Sequence, residues 1–410
     1  MDFLLNIGQW DAWASLVFRW AHIIAGISWI GSSFYFMALD YSLRRREGQP
    51  AGVKGETWQV HGGGFYHIQK YMVAPDEMPG DLHWFKWESY LTWITGFALL
   101  CVLYYWQAEI YLIDPGVNDI TKPMAIGLSI GSLVLAWIVY DLLCKSPLKD
   151  SQIAMFAVLF ALIVAASYAL NDLFASRAAY LHVGAMIATA MTGNVFFVII
   201  PNQRVVVADL LAGRTPDPKY GQIAKLRSTH NNYLTLPVIF MMISSHYPMT
   251  YGHPMGWLVI AFILPIGAIV REYFNAYDRG VRGLGVRWQW PAASLIMLCL
   301  MIFVAWRPAE TEAALEAKLD AQPTLSAADM EIVQIVNTRC AVCHASRPTD
   351  WVDVAPAGVI LETHAQIMRY APQIKAQAIT ADIMPPGNAS EITDEERLKL
   401  GQWIEALEGR

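Results

Sequence analysis

Charge is scarce in this chain. Only 16% of its 410 residues are Asp, Glu, Lys or Arg, while 55% are hydrophobic and the mean hydropathy is +0.33. A soluble protein of this length carries roughly a quarter charged residues, so that class is excluded, and a net charge of −6 gives no reason to expect a nucleic-acid partner. Cysteine is scarce too: of five, only Cys340 and Cys343 stand close together. With no second pair, a zinc site of four cysteines cannot be completed. Cys101, Cys144 and Cys299 fall one each in apolar stretches and read as small buried hydrophobes. A cleavable leader is also missing, because the first apolar run has no small-residue cleavage site and is too long for a signal core.

What the chain has is long apolar runs. Eight are long enough to span a bilayer as helices, near 15–39, 88–106, 123–143, 152–170, 179–200, 231–247, 256–272 and 289–306. Basic residues divide unevenly between the two sides: 17 in the loops after spans one, three, five and seven, against Lys122, Arg177 and Arg307 opposite. By the positive-inside rule both termini face away from the cytoplasm, as in a multi-pass protein of a bacterial inner membrane with a periplasmic tail. The expected domains are an integral membrane domain over 1–308, a linker over 309–324 and a soluble domain over 325–410, the fold class being all-α throughout.

The soluble tail carries Cys340-Ala341-Val342-Cys343-His344. Two cysteines three apart can each form a thioether to a haem vinyl group, and the adjacent histidine then lies under the iron, so covalent haem c is the expected cofactor. A sixth ligand is expected from Ile383-Met384-Pro385-Pro386-Gly387, where the prolines fix the chain around Met384. Met368 and Met330 compete chemically but sit in helical patterns. Ser326 and Thr393 are expected to cap helices on either side. The layout resembles small class I cytochrome c domains. Residues 309–410 hold 8 basic and 16 acidic residues, and that excess of acid suits docking to a basic redox partner such as a downstream cytochrome c or terminal oxidase, or is merely a solvated surface.

Within the membrane region the halves are alike. Trp20-Ala21-His22 corresponds to Tyr180-Leu181-His182, Glu88-Ser89-Tyr90-Leu91-Thr92 to Asn231-Asn232-Tyr233-Leu234-Thr235, and the ends of spans three and seven to each other. The expectation is two four-helix repeats about an axis along the membrane normal. Ionisable groups inside spans are costly and by default functional. His22 and His182, or either with His246, could ligate a haem b, with Arg19 and Arg177 near its propionates. The alternative is that these histidines simply bond between helices. Span one also resembles the first span of the HemJ and CopD membrane haem proteins.

On the basic-loop side, His61-Gly62-Gly63-Gly64-Phe65-Tyr66-His67 offers a backbone free to fold closely over a ligand. His83 and Glu88 lead into span two, and Arg204, Lys225, Arg227, Thr229, His230, Asn231 and Asn232 crowd the mouth of span six. Rings, amides and bases together suit a flat anionic heterocycle. A headgroup belt of Trp, Arg and Lys accounts for Trp84, Lys86 and Trp87 but not for the histidines.

Trp58-Gln59-Val60-His61-Gly62-Gly63-Gly64-Phe65-Tyr66-His67, Trp84-Phe85-Lys86-Trp87-Glu88-Ser89-Tyr90 and His230-Asn231-Asn232-Tyr233, joined to a cytochrome-like tail ending Met384-Pro385-Pro386-Gly387-Asn388, resemble the bacterial membrane-bound urate oxidase family PuuD over essentially the whole chain. The resemblance implies oxidation of urate to 5-hydroxyisourate, with oxygen from water and electrons passed to cytochrome c and the respiratory chain. Its catalytic residues are not carried over. On chemistry and topology, His230 supported by Thr229 and Lys225, or one of His61, His67 and His83, is the expected base, Arg204 or Arg227 holds the urate anion, Asn231 or Asn232 reads the ring, and Glu88 relays protons. Substrate on the basic-loop side requires an intermediate cofactor across roughly 30 Å of bilayer; substrate on the other side favours His246, Tyr247, His253 and Arg19. The competing function is a quinol–cytochrome c electron-transfer protein without purine chemistry. A homo-oligomer is compatible with either.

Overall fold

The computed structural model describes residues 10–72, 81–306, 325–349, 352 and 355–408. The expected linker lies outside them. Eight long helices fall on the eight apolar runs: α1 Trp10–Ser42, α2 Trp87–Leu100, α3 Lys122–Lys145, α4 Gln152–Asn171, α5 Ser176–Leu211, α6 Pro218–Ser244, α7 Val259–Asp278 and α8 Gln289–Ala305. Among the described residues six stretches are long and apolar enough to cross a membrane, in α1, α3, α4, α5, the α7 segment from Gly256 and the α8 segment from Leu284. α2 is not among them; its regular helix is 14 residues long and passes into a π-helical turn, Cys101–Tyr105. The first half of α6 is polar, with Lys219, Lys225 and Arg227 inside it.

Small residues and prolines set the approach of these helices. A Cβ on Gly193 would lie 2.5 Å from the Trp137 ring of α3, and one on Gly267 of α7 would lie 2.6 Å from Pro237 of α6. Immediately after Gly193, α5 widens into a π-helical turn, Asn194–Ile199, and then resumes. α1 packs along α2, α5 along α6 and α7 along α8, but α3 and α4 meet only around their connecting turn. The four-plus-four correspondence is therefore incomplete in the packing.

The expectation of an all-α chain needs one correction. Between α1 and α2, β1 (Val53–His61) and β2 (Gly64–Tyr71) form an antiparallel hairpin, with His61 paired to Gly64. Gly62 and Gly63, at φ +60° and +80°, make its two-residue turn, a conformation that demands glycine twice. The glycines expected to wrap a ligand are spent on that turn. Exposed Trp58, Val60 and Phe65 alternate along one face.

Beyond residue 324 a second small core forms around Ile332, Val336, Ile367, Leu400 and Ile404. It is built from α9 (Ala327–Arg339), α10 (His364–Arg369) and α11 (Asp394–Glu408). The Asp329 amide donates to Ser326 Oγ at 3.1 Å to cap α9, and Thr393 and Glu396 bond reciprocally at the start of α11. This domain rests on the end of the bundle away from the hairpin. Tyr370 donates to Asp114 at 3.0 Å, Gln373 to the Glu109 carbonyl at 3.1 Å and Gln377 to Tyr111 at 3.3 Å.

Candidate functional site

Toward the hairpin end, α3, α5, α6 and α7 bring polar groups to one depth, and α1 adds the Phe34 ring. Arg227 of α6, 2% exposed, donates to Asp141 Oδ1 at 2.6 Å and to Asn194 Oδ1 at 3.1 Å. Because a guanidinium can only donate, it fixes the Asn194 amide, whose nitrogen then donates to Tyr140 at 3.0 Å and to Asn231 Oδ1 at 2.8 Å. The Asn231 nitrogen in turn donates to the Met191 carbonyl at 3.0 Å. The Tyr140 hydroxyl meets His230 Nδ1 at 2.9 Å, so phenol and imidazole form a pair through which a proton can pass. Asn194 opens the π-helical turn, which rotates it into this network; such turns recur at functional sites.

A second cluster adjoins it through Asn232, the neighbour of Asn231. Asn232 Oδ1 accepts from Asn275 Nδ2 at 3.0 Å and from Arg271 Nε at 3.4 Å. The Arg271 guanidinium lies 3.7 Å above the centre of the Phe34 ring. Next toward the surface, Tyr233 and Arg279 both bond Glu272, and Arg279 and Lys225 lie over the Tyr41 ring.

Of the expected site residues on this side, His230, Arg227, Asn231 and Asn232 come together, buried or half-buried. Thr229 instead bonds back to the Lys225 carbonyl of its own helix at 2.9 Å. Glu88 stands in the first turn of α2, with Oε2 buried and unpartnered among the described residues. His61, His83 and Arg204 are exposed. His67 bonds Glu56 at 2.9 Å and stacks on Trp58 inside the hairpin, holding the Glu56 carboxyl below its usual range. Arg227, expected to hold an anion, is already neutralised by Asp141.

Tyr140, Asp141, Asn194, Arg271, Asn275 and Phe34 were absent from the sequence-based site. Asn194 carries a readable signal, a carboxamide inside an apolar run. Arg271 figured only among the basic residues that orient the chain and in the likeness between the ends of spans three and seven.

At the other end, His22 Nδ1 meets the Thr92 carbonyl at 2.9 Å, and its Nε2 has no partner among the described residues. His182 is fully buried, with Nδ1 bonded to the Ala178 carbonyl at 2.7 Å and Nε2 to Ser129 Oγ at 2.5 Å. Both nitrogens are engaged, so His182 does not fit an iron ligand as it stands, and no axial pair with His22 is formed. His246 is exposed, and the two nitrogens of His253 bond Trp306 and Met255. Arg19 is half-buried. Nearby, a cavity of about 250 Å³ is lined by Tyr104, Gln107, Tyr111 and Arg177.

In the C-terminal domain, His344 Nδ1 donates to the Val359 carbonyl at 3.0 Å, which leaves Nε2 for an iron. Burial lowers the pKa of His344 and so favours the neutral ring that ligates. Cys340 and Met384 pack against the same small core, and burial pushes the Cys340 thiol up to about 11. Arg397 bonds the Met384 carbonyl at 2.9 Å and pairs with Asp382, pinning the methionine loop. These residues fit a covalent haem: Cys340 and Cys343 for attachment, His344 and Met384 for the axial positions.

Neither curated proteins nor solved structures give a match to this chain. The sequence profile of the family described as Urate oxidase N-terminal matches residues 9–306, the region of the helical bundle and the hairpin. With about three-quarters of its length so matched, the chain belongs to the urate oxidase N-terminal family, a group of urate-related oxidoreductases.

Proposed function

We propose that the protein is a membrane-bound, cytochrome-linked urate oxidase. In this reading urate and water give 5-hydroxyisourate, two protons and two electrons, and the electrons leave through haem c to the respiratory chain. One observation carries it: the family region over 9–306 shares a chain with a haem-attachment sequence whose histidine is held with one nitrogen free. A bound haem accepts electrons one at a time. The chain's residues do the rest. His230, braced by Tyr140, takes a proton from the purine as it is oxidised. Asn232, whose Nδ2 is unspent, supplies an amide edge for the ring, while Asn194 and Asn231 are spent on the network that positions Tyr140 and His230. Arg227 and Asp141 hold this scaffold together rather than touching substrate. The polar layer and the haem c domain lie at opposite ends of the bundle, so an intermediate electron carrier would be needed between them; His182 has no free nitrogen to hold one, and His22, whose Nε2 is unspent, would do so with a second ligand other than His182.

A quinol-oxidising reading is favoured by one feature, an apolar groove of about 210 Å³ between α3, α4 and α5, walled by Leu135, Val139, Leu159 and Met186 with Tyr140 at its edge. Anaerobic addition of urate to oxidised membranes separates the two. Haem c absorbance should shift to the reduced form; no reduction removes the urate reading. A pyridine haemochrome spectrum should show haem c, and haem b in addition would require His22 or another ligand to be reassigned.

A further inference from the structure

We infer that Arg271, Asn232 and Phe34 form the binding subsite for the substrate's anionic edge, the ligand being a planar purine-type monoanion. This rests on the urate reading above and deepens it. The argument begins with a cation that has no counter-charge. Arg271 is 6% exposed, and no carboxylate comes within 4.0 Å of it among the described residues. Asp278 of the same helix acts on it only through space. A buried ion without its pair is strongly destabilising, and folded proteins retain one where something else supplies the charge.

Its existing contacts leave room for that partner. A guanidinium has five N–H donors. Arg271 spends two, on Asn232 Oδ1 at 3.4 Å and Asn275 Oδ1 at 3.3 Å, both at the long end of hydrogen bonding. Since Asn232 Oδ1 accepts from both Arg271 and Asn275, its amide orientation is fixed, and Nδ2 is the group left over. That nitrogen is buried without a partner, in a residue 0% exposed. Two neighbouring groups with spare donors and no spare acceptors call for an acceptor-rich anion. Phe34, 3.7 Å from the guanidinium carbon, gives the planar cation an aromatic face to rest against, and the unspent donors of its fork suit adjacent oxygen and nitrogen acceptors of a flat ring.

Arg227, at the same depth, shows the contrast. It has Asp141 at 2.6 Å and further bonds to Asn194, so its charge is satisfied inside the protein. The two buried arginines of the layer therefore divide the work, one structural and one open to a ligand. Toward the surface, Lys225 lies over the Tyr41 ring on the hairpin side of Arg271, while Arg279 beside it is already paired with Glu272.

The test uses the full-length protein in membranes, with two readouts: the urate dependence of haem c reduction, and equilibrium binding of radiolabelled urate to the fully reduced protein, where no turnover occurs. Arg271→Gln should raise KM and weaken binding by roughly 10- to 100-fold, the loss expected for a charge-assisted contact, with haem c content unchanged. Arg271→Lys should fall between, because it keeps the charge and loses the fork. Phe34→Leu, which preserves apolar volume, should weaken binding several-fold and guards against an Arg271→Gln protein that fails to accumulate. Wild-type binding equalled by Arg271→Lys and Phe34→Leu overturns the assignment and leaves the oxidase reading standing. A wild type that binds no urate overturns both.

Discussion

The Arg227–Asp141 pair shows how a buried charge constrains one residue at a time. Arg227 is almost wholly enclosed, whereas Asp141 also reaches the exposed Lys145 at 2.6 Å. Removing the acid strands the base. Asp141→Ala is expected to cost about 3–5 kcal/mol, seen as a lower melting temperature of the detergent-solubilised protein, and Lys145→Ala less than about 1 kcal/mol. In the C-terminal domain the sign of a pH effect follows from Asp329. The Ser326 hydroxyl at 2.6 Å, the Trp403 indole at 2.8 Å and nearby His364 hold its carboxyl down to about 2. A depressed acid contributes stability above its unfolded pKa, near 4, and loses it as pH falls toward 2. Resistance of this domain to pepsin should therefore decline between about pH 4 and pH 2, and Asp329→Asn should flatten that decline. At this scale the sequence was half legible. His230, Arg227, Asn231 and Asn232 stand together in the chain and drew notice as a group. Arg271, Asn275 and Phe34 come from separate helices, and nothing local marks an arginine that lacks a counter-ion.

Elements were easier to read, because a span announces itself by length and apolarity while its neighbours do not. All eight helices fall on the expected runs, and the caps of α9 and α11 follow from Ser326 and Thr393. The hairpin was missed because three successive glycines read as a flexible loop, although the alternation Trp58, Val60 is that of a strand. Gly62→Val should show the difference: its φ of +60° suits glycine, and a branched side chain there costs about 1–2 kcal/mol, raising amide exchange across β1 and β2. The break in α5 was equally invisible, since widening by one residue leaves no compositional trace. Gly193→Leu would drive a side chain into Trp137 and should cost about 1–3 kcal/mol or more, with loss of the Asn194 contacts. Falling urate turnover at unchanged haem c content would report it.

At the scale of the whole molecule, the C-terminal domain is seated by a few polar contacts, among them the bond from Tyr370 to Asp114. Burial and the Asp114 carboxylate push the Tyr370 hydroxyl well above its ordinary pKa, so it remains a donor throughout the working range. Tyr370→Phe should slow reduction of haem c while leaving the KM for urate unchanged, because it loosens the seat without touching the polar layer. That layer and the seat lie at opposite ends of the bundle. On the proposed orientation, oxidation takes place beside the negatively charged interior and the electrons depart on the far side. The voltage across the membrane then pushes in the direction of the reaction, by about 2.3 kcal/mol per electron for each 100 mV. Turnover in sealed, energised vesicles should fall when an ionophore collapses that voltage, making the enzyme a current source whose output the cell's own battery helps to set.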